Sequence, residues 1–204
     1  MKLQKELRFT VFDARNGVSG ALQTRPTRTF NFNELLDYYN SPENKELCQA
    51  ILNAPTPEAK NKLKAKQSYY TPYGTFSYRN NKSILEHNSI VSIDIDDLKD
   101  KKEAIEIRNK LAKHPSILFA LLSTRGKGVK AMMRINSVEA VDSFNQLKHV
   151  FKPHLKEFLN IEDSKIDEAQ FKLSQPCYFS YDADMYINAD ATVLDLEFNY
   201  KEPE

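Results

Sequence analysis

Apolar positions change period several times along this chain. Leu7, Phe9 and Val11 alternate with Arg8, Thr10 and Phe12, which predicts an early strand. The polar stretch through Gly17 and Gly20 predicts a loop after it. Asn31-Phe32-Asn33 leads into a helix over 34–39 with an Asn cap, and a second helix covers 45–53 until Pro55 and Pro57 stop it. Over 58–66, Lys60, Lys62, Lys64 and Lys66 stand against Glu58 alone, the pattern of a solvated helix face. Residues 72–79 read as a turn into a short strand, followed by a turn at Asn80 and Asn81. Strands are predicted at 90–96, 117–123 and 129–135, with a last one at 177–181. Ala104, Ile107 and Leu111 share one face of a helix over 100–114. Val141, Phe144, Leu147, Val150, Phe151, Leu155 and Phe158 recur at helical spacing over 138–159, bent or divided at Pro153. This order predicts an α+β fold with helices laid against a sheet. With no internal repeat or low-complexity linker, the elements are expected to share one body.

At 204 residues, 41% hydrophobic and 28% charged, the chain suits one domain or a domain with an added subdomain. Collagen-like, disordered and membrane-spanning classes are excluded. No window approaches the roughly 18 apolar residues of a membrane span, and the first residues lack the apolar run of a secretory leader. The expected location is therefore the cytoplasm, with no membrane partner. Cys48 and Cys177 fit no metal-ligand spacing and are expected to be buried, reduced thiols. A net charge of +1 argues against holding nucleic acid by bulk positive charge, so any such contact must come from local clusters.

The most informative stretch is Ser92-Ile93-Asp94-Ile95-Asp96. Side chains alternate along a strand, so Val91, Ile93 and Ile95 can enter the core while Asp94 and Asp96 stand together on the other face, about 6.6 Å apart along the chain. Like charges so placed repel, and aspartate is disfavoured in strands. A pair of divalent metals about 3.5–4 Å apart, Mg²⁺ or Mn²⁺, would relieve them. A strand end facing solvent would do so as well.

A second cluster lies at Ser123-Thr124-Arg125-Gly126-Lys127-Gly128, which holds two of the chain's five glycines between two predicted strands. It allows a tight hairpin whose backbone N–H groups approach phosphate oxygens, or a plain glycine hairpin with solvated charges. Arg125, Lys127, Lys130 and Arg134 bring four cations with no acid among them. The chain has no GxxxxGK[ST] loop. Asp167, after the long helix, supplies a third carboxylate. Three carboxylates opposite a basic glycine turn are the equipment of metal-assisted nucleotidyl transfer.

The ordered stretches 72–79, 87–96, 119–130, 166–167 and 179–184 resemble the archaeo-eukaryotic primase (primase-polymerase) superfamily, and more closely the domain named for the N-terminus of VirE-type proteins in bacteria, phages and mobile elements. The resemblance implies an RRM-like primase-polymerase catalytic sheet with flanking helices over 71–200, and an N-terminal α/β extension over 1–70 packed on that core. It implies Asp94, Asp96 and Asp167 as the catalytic, metal-binding carboxylates of a two-metal Mg²⁺ or Mn²⁺ site. Ser123, Arg125, Gly126, Lys127, Gly128 and Lys130 would bind the phosphates of an NTP or dNTP, and Arg79 and Arg134 would contact nucleic acid. The implied reaction is synthesis or extension of a primer on a DNA template, expected to be single-stranded, beside a helicase or other replication protein. Lys130 stands where catalytic relatives usually carry His, and Gln175 where they tend to carry Arg.

Those departures motivate an alternative: a primase-like module that binds nucleic acid or nucleotide without catalysis. A nuclease using the same carboxylates is a third class. His87, His114, His149 and His154 form no HxH pair, which argues against a relaxase-type endonuclease. Tyr69, Tyr70 and Tyr73 could stack on bases, although packing in the core or a turn is the commoner use of such residues.

Overall fold

The computed structural model describes residues 7–14, 23–136 and 141–197, apart from the side chains of 141–145. The expected loop around Gly17 and Gly20, the helix start at Val138 and the side chains of Val141 and Phe144 lie outside the described residues.

The starts of the first four helices have a visible cause. In α1 (Phe32–Tyr39) the Asn31 side chain accepts the Glu34 N–H at 3.0 Å while the Glu34 carboxylate accepts the Asn31 N–H at 2.7 Å. Helix α2 (Pro42–Leu52) begins earlier than its apolar spacing predicts, because Ser41 caps it and Pro42 occupies the first turn. Pro57, expected only as a stop for α2, also opens α3 (Pro57–Lys64), which Thr56 caps. Asp100 caps α4 (Lys101–Leu111), and α5 (Val141–Leu159) carries Pro153 inside it without being divided.

Two four-stranded antiparallel sheets and a hairpin complete the α+β fold. The strands of the first sheet are β1 (Arg8–Phe12), β2 (Arg28–Asn31), β3 (Tyr69–Thr71) and β9 (Cys177–Tyr178), in the order β2-β1-β3-β9. The hairpin pairs β4 (Gly74–Phe76) with β5 (Ile84–His87). The second sheet holds β6 (Ile90–Ile95), β7 (Ile117–Leu122), β8 (Val129–Arg134) and β10 (Tyr186–Ile187), in the order β10-β7-β8-β6. Both β6 and β7 run antiparallel to β8, so they are parallel to each other, with α4 as their crossover. Strand β2 falls where a loop is expected. It is a sheet edge with exposed Arg28 and Thr29, and such an edge leaves no apolar alternation to read.

An aromatic cluster joins the two sheets. Tyr39 of α1 packs against Phe119 of β7 and Phe179 at centroid distances of 5.5 and 5.0 Å, and Phe179 meets Tyr70 of β3 at 5.1 Å. Tyr69, Tyr70 and Tyr73 are all core residues, and the Tyr39 and Tyr70 hydroxyls share a hydrogen bond of 3.0 Å. Both cysteines are buried free thiols. Residues from either side of position 70 therefore share one sheet and one core. Among the described residues no helix is long and apolar enough to cross a membrane.

Candidate metal centre

Strand β6 is buried along its whole length, so the face that carries Ser92 and Asp94 does not look out to solvent. It forms one wall of a cleft of about 370 Å³ lined by Asp94, Asp96, Ser123, Thr124, Arg125 and Lys130, by Asn61, Lys64, Ala65 and Gln67, and by Tyr178, Phe179 and Ser180. The second sheet supplies the acids, the end of α3 supplies Lys64, and β9 with its continuation closes the far side.

Asp167 reaches this wall through backbone pairing. Its N–H donates to the Asp94 carbonyl at 2.9 Å, the Asp96 N–H donates to the Lys165 carbonyl at 2.9 Å, and Ile166 bridges Ile95. A short added edge thus sets a third carboxylate beside the first two. Oxygens of Asp94, Asp96 and Asp167 all lie within 4.8 Å of one another.

Buried polar groups hold Asp167 in place. Its Oδ1 accepts the Ala169 N–H at 2.9 Å, and Oδ2 accepts from the Gln170 amide at 3.4 Å. Gln170 in turn accepts from the Ser92 hydroxyl at 3.2 Å through its side chain, and from the Tyr73 hydroxyl at 2.5 Å through its carbonyl. Such outer contacts orient ligands before a metal arrives.

Lys130 is the direct cross-strand partner of Asp94, and its Nζ donates to Asp94 Oδ2. Burial pushes the Asp94 carboxyl above its ordinary value. Lys130 pulls it down, and the charges of Asp96 and Asp167 push it up again. Burial works against the Lys130 ammonium as well, but Asp94 outweighs it and holds that pKa above the usual lysine value. Asp94 Oδ1 is buried with no hydrogen-bond partner. A buried carboxylate oxygen left unpaired among other carboxylates is a place for a cation, and the all-oxygen donor set fits a hard divalent ion.

The glycine turn is shaped by contact with β6. Gly126 has φ of +69°, and the Ser123 N–H donates to the Gly128 carbonyl at 2.8 Å. A Cβ on Gly128 would lie 2.6 Å from the Ile95 carbonyl oxygen and 3.0 Å from Asp96 Oδ1. Only glycine lets the turn lie this close to the acids. Asp97, in the left-handed region at φ of 54°, turns the chain out of β6 so that the Leu98 N–H donates to the Lys127 carbonyl at 3.1 Å.

Of the expected phosphate-binding residues, Ser123, Arg125 and Lys130 line the cleft, Gly126 and Gly128 form its turn, and Lys127 projects outside it. Arg79 sits over the Tyr69 ring at 5.4 Å, and Arg134 is buried at the far end of β8 opposite Ile90. Neither lines the cleft, nor does Gln175. Lys64 belongs to the run expected to form a solvated face, yet it lines the cleft. Burial, with Arg125 and Lys60 nearby, lowers its pKa, while Asp96 opposes that. Its place at the C-terminal end of a short Pro-started helix, just before β3, is the signal that the sequence offers.

The class these features define is an α+β protein with a three-carboxylate centre set under a basic glycine turn. Residues 62–187 match the family described as BT4734-like, N-terminal domain, and the chain belongs to that family. The matched stretch holds Lys64, all three aspartates and the turn. No curated protein and no solved structure matches the chain.

Proposed function

We propose that the protein is a metal-dependent nucleotidyltransferase of the primase-polymerase type, which synthesises or extends a primer on a DNA template in phage or mobile-element replication. The observation that carries this reading is the convergence of Asp94, Asp96 and Asp167 within 4.8 Å, with the buried Asp94 Oδ1 unpaired, at a cleft that Asp94 and Asp96 line together with Lys64 and Arg125. The element order adds support. Strand β6, helix α4, the β7–β8 hairpin, helix α5 and the Ile166 bridge back onto β6 follow a βαββαβ sequence, which fits an RRM-like sheet whose last strand has shrunk to one bridge.

In this reading Asp94, Asp96 and Asp167 hold Mg²⁺ or Mn²⁺, as in the two-metal site that the resemblance implies. Held there, the ion would supply a Lewis acid to lower the pKa of a primer 3′-hydroxyl and to offset the negative charge of the leaving pyrophosphate. Arg125 and Lys64 attract the phosphates of an NTP or dNTP across the cleft, and the backbone of the Gly126–Gly128 turn approaches them closely. A single-stranded template, a helicase or similar replication partner, and a cytoplasmic location belong to the same reading.

A second reading, a binding module without catalysis, is favoured by one observation: the Lys130 ammonium already pairs with Asp94. Extension of a labelled primer–template with Mn²⁺ and mixed nucleotides separates the two. Wild-type product that disappears in Asp94→Ala/Asp96→Ala supports the polymerase. Template binding without product in either chain supports the module.

A further inference from the structure

We infer that Lys130 takes the place of one metal ion, so that the centre holds a single divalent ion on Asp94 Oδ1, Asp96 and Asp167. The inference rests on the metal-site part of the proposed function and replaces its two-ion arrangement.

The two oxygens of Asp94 have different surroundings. Oδ2 is bound to the Lys130 ammonium, while Oδ1 is buried and unpartnered. A carboxylate shared by two metals would offer one oxygen to each, so here a protein cation has one of the two positions. Register fixes it there: Asp94 and Lys130 are opposite residues of β6 and β8, and Lys130 is also opposite Leu121 of β7. Strand β8 is paired on both sides, so it cannot slide the Lys130 backbone away from Asp94 without breaking both pairings.

Charge points the same way. Three carboxylates and one ammonium leave two formal negative charges, which one divalent ion neutralises. A second ion would give a centre with one buried and two half-buried carboxylates excess positive charge beside Lys64 and Arg125, which form no ion pair among the described residues. Size agrees as well, since three oxygens within 4.8 Å close around one ion of about 2.1 Å bond length with small movements.

The test is a count of bound Mn²⁺ by the loss of its free EPR signal, using the full chain with no nucleotide present, because a triphosphate chelates Mn²⁺ itself. One ion per chain is expected for wild type, and two in Lys130→Met. Lys130→Arg, which keeps the cation and guards against a folding failure of Lys130→Met, is expected to bind one. Two ions in wild type, none in wild type, or one in a folded Lys130→Met would each overturn the inference. A chain that binds one ion but extends no primer fails only the polymerase reading and leaves the count intact.

Discussion

Among the described residues two lysine- or arginine-to-aspartate pairs are buried, and they are built to opposite standards. Arg108 and Asp182 are 9% and 7% exposed, Lys130 and Asp94 13% and 9%. In the first, Asp182 Oδ2 accepts from Arg108 at 2.8 Å and from the Leu122 N–H at 2.9 Å, and Oδ1 accepts from the Asp184 N–H at 3.1 Å. Asn109 takes two more guanidinium donors of Arg108. In the second, one carboxylate oxygen has no partner and two more acids crowd the pair. A buried pair holds structure when its hydrogen bonds are complete. When they are left open beside like charge, stability is being given up for a ligand.

The largest expected effect tests that contrast directly. Asp182→Asn strands Arg108 and frees the end of β7, and is expected to destabilise the fold by about 3–5 kcal/mol. Asp94→Asn relieves repulsion while Asp96 still faces Lys130, so it is expected to cost less than half as much. Urea unfolding of both variants measures this, and equal losses would erase the distinction.

Next comes Gly128→Ala, expected to cost about 1–3 kcal/mol, because the new Cβ must push the Ile95 carbonyl aside. It should also weaken Mn²⁺ binding by displacing Asp96, and unchanged binding in a destabilised chain would uncouple the turn from the acids. Lys64→Ala sharpens the functional side of the comparison. Under the proposed function it removes one charge-assisted phosphate contact and is expected to raise the nucleotide Kd about tenfold, with Mn²⁺ binding unchanged. A nucleotide titration with Mn²⁺ present reads it.

The smallest effect is set by an exposed network. Lys148 and Lys152 each reach Glu168 at 2.6 Å and lower its pKa to about 2. A carboxylate whose folded pKa is lowered contributes above its unfolded pKa, about 4.5 for Glu168, and loses that contribution as pH falls toward the folded value. The stability gap between wild type and Glu168→Gln should therefore be small at pH 6 and narrow further by pH 3, as followed by urea midpoints.

The elements whose causes are local are legible in the sequence. An Asn cap announces α1, although the helix starts at Phe32 rather than at 34, and the alternation over 90–96 puts Asp94 and Asp96 on one face by spacing alone. Their order along the chain also brings the glycine turn and Asp167 forward as one constellation. What stays hidden depends on distant partners. Asp182 gains its meaning from Arg108, in another element far back along the chain. Strand β9, expected over 177–181, keeps only Cys177 and Tyr178 because β3 offers it a short edge. Apart from its place at the end of a short Pro-started helix, Lys64 looks like any solvated lysine, and only folding brings it to the cleft.

The central position of β3 has a consequence for how the protein comes into being. β3 pairs on one side with β1, made first, and on the other with β9, made more than a hundred residues later. A nascent chain can assemble Asp94, Asp96 and the glycine turn well before the wall formed by Tyr178 and Ser180 leaves the ribosome. Until then the edge of β3 is open and the carboxylates face water. Such long-range pairing slows folding, so the cleft that is expected to bind substrate is among the last features of the molecule to exist.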